Sequence, residues 1–362
     1  MFHGVVRDSL IPVVLANFFT SFGDGWFTSN RRCKQTSKST IVVKQTIRLS
    51  PVAPLAPIVG EGELVAFNVG PDGVTYFVVA LKRLDVRIEQ PGGASFAKTV
   101  PKEPQKYRVF GLSGSQIVLD VSIEGERFNI HDIQPLTDAL LLVCARSYFK
   151  GPDHFEKNGR IYSRSGKFLR EILLGDGIRS VQATSNGLIW TSYFDEGIFG
   201  NYGWSDPIGA TGLVTWDRDG KKVYEYEPCD GLDSICDCYA LNVESDEDVW
   251  LYYYTEFPLV RIRRGEIESI WNMPIHGSNA FAISEGYALF AGGYDNPQTY
   301  LLFSLGSGGM PQLTAELELR GENGGILEPA QVIGRADAIH LVSDGFLYRV
   351  DVQSALEVLR TG

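Results

Sequence analysis

Residues 239–254 read YALNVESDEDVWLYYY, and residues 258–271 read PLVRIRRGEIESIW. The first stretch is an apolar strand, a polar turn and a strand rich in aromatic and β-branched residues, which suit a pleated, half-buried surface. The second is a further pair of strands folded about Arg263-Arg264-Gly265. The unit recurs. VQATSNGLIWTSYF from Val181 leads to GLVTWDRDGKKVYEYE from Gly212, and AFAISEGYALFAGGY from Ala280 leads to TYLLFSLGSGG from Thr299. A recurring supersecondary unit is read before any single element, because it sets the whole architecture.

The turns in these units have a physical basis. Pro71-Asp72-Gly73, Ser185-Asn186-Gly187 and Ser284-Glu285-Gly286 separate the first and second strands. Ser163-Arg164-Ser165-Gly166, Asp217-Arg218-Asp219-Gly220 and Arg263-Arg264-Gly265 separate the third and fourth. Glycine, and to a lesser degree Asn and Asp, accept the positive φ that tight hairpins demand. Four antiparallel strands of this kind make one propeller blade. First strands start near Leu64, Phe128, Val181, Tyr239, Ala280 and Gln331, which predicts an all-β, six-bladed propeller over residues 41–362. A seventh blade would have to draw on residues 41–49 (IVVKQTIRL), which otherwise add an edge strand or help close the ring. No long capped amphipathic helix is expected.

At this level of architecture, residues 60–360 resemble the WD40-like repeat propellers. The Gly-His and Trp-Asp dipeptides of true WD40 repeats are not placed as that family requires, and Trp216-Asp217 occurs once without its partner. The resemblance implies a propeller and names no specific family.

Charge is unevenly distributed. Residues 1–50 hold seven basic and two acidic residues, whereas the remainder holds 26 basic and 42 acidic, within a net charge of −11. An acidic body repels phosphate backbones, which argues against nucleic acid as a partner. No run of 18 apolar residues suggests a membrane span. Residues 1–40 are expected to be a poorly ordered extension or the product of a misassigned start. A degenerate export signal in that segment is the alternative to a cytoplasmic location. Five cysteines form no regular disulfide framework. Cys229, Cys236 and Cys238 match no zinc-knuckle spacing and read as ordinary thiols, with a soft-metal or redox role left open.

Propeller geometry places the loops between second and third strands, and those between blades, on one face. The most informative segment there is residues 193–204, containing Tyr193, Phe194, Asp195, Glu196, Asn201, Tyr202 and Trp204. It is aromatic, acidic and glycine-rich, and longer than a simple connection needs. Tyr148 and Phe149 before Asp153, Tyr254 before Glu256, and Tyr294 before Asp295 echo its opening. These residues are expected to wall a pocket for a protein or small-molecule ligand, by stacking and charge-assisted hydrogen bonds. On this reading Trp204 contributes to binding and little to stability. For any one of these residues, packing between blades or capping of a turn is the competing role.

His131, His154, Asp195 and His276 are candidate ligands for a divalent cation such as Ca²⁺. Such a site would support a metal-dependent hydrolase, lactonase or lyase at the channel mouth, by analogy with fold alone. No nucleophile elbow, zincin motif, Walker loop or dinucleotide fingerprint is present. The favoured expectation is a non-catalytic binding scaffold, its oligomeric state open.

Overall fold

The computed structural model describes residues 44–89 and 95–361. The expectations for residues 1–40 lie outside them. The described chain forms six blade sheets around a central channel, five of four antiparallel strands and one of five with a parallel edge strand, and a separate two-stranded hairpin. Blade one comprises Glu63–Val69, Thr75–Ala80, Gln105–Ser113 and Gln116–Glu126. Blade two comprises Asp132–Pro135, Ala139–Val143, Gly159–Ser163 and Phe168–Ile172. Blade three comprises Ile178–Ala183, Ile189–Tyr193, Leu213–Trp216 and Lys222–Glu225. Blade four comprises Asp237–Val243, Asp248–Tyr254, Pro258–Arg263 and Glu266–Asn272. Blade five contains Phe281–Ser284, Tyr287–Phe290, Thr299–Ser304 and Gln312–Gly321. Blade six contains Gln331–Arg335, Ala338–Ser343 and Phe346–Asp351.

The six first strands begin within a few residues of the expected positions, and the predicted turns join the predicted strands. At Glu285-Gly286 and Arg264-Gly265 both central residues take positive φ, as a two-residue hairpin with the native twist requires.

Blade six takes its outer strand from the other end of the chain. Ala53–Pro54 pairs antiparallel with Phe346 and Leu347, which closes the ring. The flanking amides of Val52 and Leu55 extend the pairing to Leu347 and Gly345. Leu55 and Ile58 then bury against Phe67, Phe77 and Phe110 of blade one. Lys44–Leu49 runs parallel to Gln312–Gly321 as a fifth strand of blade five, so this segment adds an edge strand and no seventh blade.

A ten-residue helix, Val352–Thr361, was not expected from the sequence. Val352, Ala355, Leu356 and Leu359 pack it onto the core shared by blades five and six. An Asp351 carboxylate oxygen accepts the Ser354 amide at 2.7 Å, which caps its first turn.

The inner strands carry a further constraint. Each is a sheet edge turned toward the channel, with backbone groups that no fifth strand can pair. Side chains of neighbouring blades fill that role. Asp132 and Gln134 accept the Val181 and Ala183 amides at 3.0 Å each. Gln182 accepts the Val243 amide at 2.8 Å and donates to the Leu241 and Gly334 carbonyls at 3.0 and 2.9 Å. Asn242 donates to the Phe281 and Ala336 carbonyls and accepts the Ala336 amide at 2.7 Å. Arg335 reaches across the channel to Gln182 Oε1 at 3.2 Å and the Ala183 carbonyl at 2.7 Å.

Replacing Asn242, which is fully buried, by Ala would strand the Ala336 amide and the Phe281 carbonyl, whereas the Ala336 carbonyl keeps the Ile283 amide. Buried polar groups left without partners are costly, at about 1–3 kcal/mol each. Asn242→Ala should therefore lower unfolding free energy in urea by at least ~2 kcal/mol. A change within the range of an exposed substitution would show that water replaces the clasp.

Candidate functional site: a cavity at the channel mouth

Above the Gln182–Arg335 clasp the channel opens into a cavity of about 490 Å³ on the face predicted to carry function. Inner-strand residues of blades one, two, three, four and six line it, and Asn279 extends the wall from the start of blade five. The walls are largely aliphatic, with Leu64, Ala66, Ile130, Val143, Ile178, Leu241 and Ile333 among them. Val86 and Ala97 reach over the cavity from the small hairpin inserted in blade one.

Three inner strands change register at the mouth. The pairing shifts between Leu64 and Ala66, between Ile178 and Ser180, and between Cys238 and Ala240. The residues skipped are Val65, Arg179 and Tyr239, and all three line the cavity. A bulge inserts one residue and re-aims its side chain.

The wall between blades two and three is built around Arg146, which is 5% exposed. Its guanidinium binds Asp176 through two bonds, at 3.0 and 2.8 Å, and also binds Glu196. The same plane stacks 3.9 Å from the Tyr202 ring centroid and 5.2 Å from that of Phe194. Burial pushes Asp176 up to about 6, opposed by Arg146 and by the Ser147 amide. Gly177 makes this approach possible. Its φ is +68°, and a Cβ there would lie 2.3 Å from the Gly197 backbone. The helix Asp195–Phe199 can therefore seat directly on the 175–177 turn.

On the cavity floor, Asp132 accepts from Asn68 Nδ2 at 2.8 Å and from the Val181 and Ile133 amides. Burial nevertheless pushes its carboxyl up to about 7. His131 accepts the Ala145 amide on Nδ1 at 3.2 Å, and burial lowers it to about 4, so the ring is neutral near pH 7.

The sequence-predicted residues distribute as follows. Phe194 reaches the cavity. Tyr193 is fully buried, its hydroxyl bonded to the Leu174 carbonyl and to Thr191. Tyr202 donates to the Ala97 carbonyl at 2.6 Å and stacks with half-buried Tyr148 at 4.5 Å. Glu196 holds Arg146, while Asn201 turns back to the Tyr202 amide at 2.7 Å. Asp195, Glu256 and Asp295 are exposed. Tyr294 is exposed as well, with its hydroxyl against that of Tyr239.

Trp204 requires a correction. It is 8% exposed, packs on Phe149 and Phe155, and donates from Nε1 to the Ser147 carbonyl at 2.8 Å. It joins blades two and three, and it is a stability residue. Of the four candidate cation ligands, His131 lines the cavity, His154 and Asp195 are exposed, and His276 stacks on Phe257. Among the described residues, no group of three or more His, Cys, Asp or Glu is arranged to hold a metal ion. Cys144, Cys229, Cys236 and Cys238 are all free thiols. No helix among the described residues is long and apolar enough to cross a membrane.

Sequence reading missed Arg146, Arg179 and Tyr239. Their signal is positional, since each lies where an inner strand begins or a second strand ends. The opposite face carries a larger opening of about 840 Å³, lined mainly by hairpin turns and inner-strand ends. Its carboxylates are already engaged, Asp246 by Ser185 and Glu247 by Arg264.

The architecture defines a six-bladed β-propeller. Residues 209–350, which run from the long loop of blade three to the end of blade six, are similar to the YxzG family. No curated protein matches the chain. Among solved structures, the chain is similar to the WD40 propeller domain of Doa1, at 11% identity and a TM-score of 0.39. That match covers 84% of this chain and 93% of that one. It is also similar to a KlHsv2 carrying a Gly-Ser linker in place of loop 6CD, at 10% identity, coverages of 81% and 78%, and a TM-score of 0.46. The computationally designed Ika8 protein matches at 12% identity, coverages of 83% and 74%, and a TM-score of 0.42.

Two outcomes follow. Trp204→Ala should destabilise the fold by about 3–5 kcal/mol, as for other buried Trp truncations, read as a large fall in Tm. An unchanged Tm would return Trp204 to the surface. A carboxyl raised by burial keeps its proton in the folded state and loses it on unfolding, so stability falls as pH climbs from roughly 4 toward the folded value. For Asp132 that value is about 7. The Tm of Asp132→Asn minus that of the parent should therefore rise between pH 5 and pH 8, whatever its sign at pH 5. A flat difference would mean that Asp132 is ionised throughout.

Proposed function

We propose that this protein is a non-catalytic binding propeller that holds a small ligand in the cavity at its channel mouth. The observation that carries this reading is the coincidence of the three bulges with the cavity. Val65, Arg179 and Tyr239 are each displaced from regular strand pairing, and each displacement ends at the same opening. Ring closure alone does not need bulges there, since blades two, five and six keep unbroken pairing between their first and second strands.

The size and chemistry of the opening agree. Binding sites for small molecules are concave, mostly apolar, and carry a few convergent polar groups. Largely aliphatic walls with two phenylalanines, a tyrosine and three arginines, Arg87, Arg146 and Arg179, meet that description. The clasp beneath holds the wall strands in place, so little ordering would be needed on binding.

The test uses a neutral, apolar fluorophore, N-phenyl-1-naphthylamine. It should bind saturably with one site per chain. Ala330 is exposed and lines the opening, so Ala330→Trp should fill the mouth without disturbing the core. The variant should keep the parent Tm and lose at least about tenfold in affinity, as expected when a pocket is occluded. Equal binding by the two proteins would place the fluorophore elsewhere and overturn the reading.

A further inference from the structure

We infer that the cavity selects a ligand with an apolar body and one anionic group, and that Arg179 is the residue that meets the anion. This inference rests on the cavity being the binding site.

Arg179 is half-buried at the start of the inner strand of blade three, at a bulge, and lines the cavity. A guanidinium carries five N–H donors and remains charged at any accessible pH. In most half-buried arginines of this protein those donors are used. Arg261 binds Asp248 and Glu268, and Arg320 binds Glu318 and the Gly324 carbonyl. Arg146, on the same wall as Arg179, is paired with both Asp176 and Glu196. Among the described residues, the Arg179 side chain makes no hydrogen bond and no ion pair. Its one defined contact is the Tyr239 ring, 6.0 Å away, at the outer limit of a cation–π interaction.

The carboxylate that feels its field, Asp237, forms no ion pair with it. Asp237 Oδ1 is itself buried and without a partner. A partly desolvated charge with unmet donors is unfavourable until something pairs with it. The described residues leave this charge unmatched, and a one-residue bulge places it at an aliphatic opening. A carboxylate, sulfonate or phosphate oxygen pair fits a guanidinium edge through two parallel bonds. The apolar remainder of such a ligand would lie against Leu64, Ile178, Leu241 and Ile333.

The experiment compares two probes on the intact chain. 8-Anilinonaphthalene-1-sulfonate has the anilinonaphthalene body of N-phenyl-1-naphthylamine with a sulfonate added. Arg179→Gln removes the charge and keeps a shorter polar side chain. The sulfonate probe should bind the parent with one site and lose about tenfold or more in affinity in Arg179→Gln, as expected for a charge-assisted hydrogen-bonded pair. The neutral probe should bind both proteins equally, and Arg179→Lys should retain part of the sulfonate affinity. Loss of both probes with a lowered Tm would assign Arg179 a structural role and overturn the inference. Equal sulfonate binding in parent and Arg179→Gln would overturn it as well, leaving the cavity as a site without charge selection. If neither probe binds the parent, the cavity reading itself fails.

Discussion

A propeller has to satisfy the backbone of its innermost strands. Each blade presents one sheet edge to the channel, and six edges converge where no further strand fits. Here the amides of that edge are met largely by side chains of adjacent blades, with Asp132, Gln134, Gln182 and Asn242 as the main participants. Gln182 links blades three, four and six at once, and Arg335 adds a second contact from the far side. The hydrophobic clusters between blades supply most of the burial. The polar clasp determines how close the inner strands come and at what depth the channel is blocked.

The cavity follows from that depth. Below Gln182 the inner strands are locked by side-chain amides. Above it the same strands diverge, and bulges at Val65, Arg179 and Tyr239 turn three side chains into the space. The flanking wall is held by another polar assembly, in which Arg146 is gripped by Asp176 and Glu196 and stacked on Tyr202 and Phe194. The contrast between Arg146 and Arg179 is informative because they share a wall. One is matched internally in charge and hydrogen bonding, and the other has no ion-pair partner among the described residues.

Much of the fold was legible because hairpin turns are local. Asn186-Gly187 and Glu285-Gly286 state where two strands meet, and the alternation around them states which residues are strand. Other features depend on partners distant in sequence. Ala53–Pro54 closes the ring with only two residues, too few for any periodic signal. The final helix has apolar residues at 352, 355, 356 and 359, whose spacing suits a helix only once blades five and six offer a surface. Trp204 was misread because an aromatic, glycine-rich loop has the same composition whether it walls a pocket or packs between blades. Its neighbours Phe149 and Phe155 lie in another blade. Arg179 was missed because a bulge is a property of two strands in register, and neither strand shows it alone.

The central claim is that the inner-strand clasp makes the ring one cooperative unit and fixes the cavity floor. Amide hydrogen exchange at Val181, Ala183, Val243 and Ala336 tests it directly, because each of these N–H groups is bonded to a side chain rather than to a strand. If the clasp holds the ring, these amides exchange only through global unfolding, at rates matching the most protected strands. If they exchange through local opening while the blades remain protected, the clasp is a passive lining and the account is wrong.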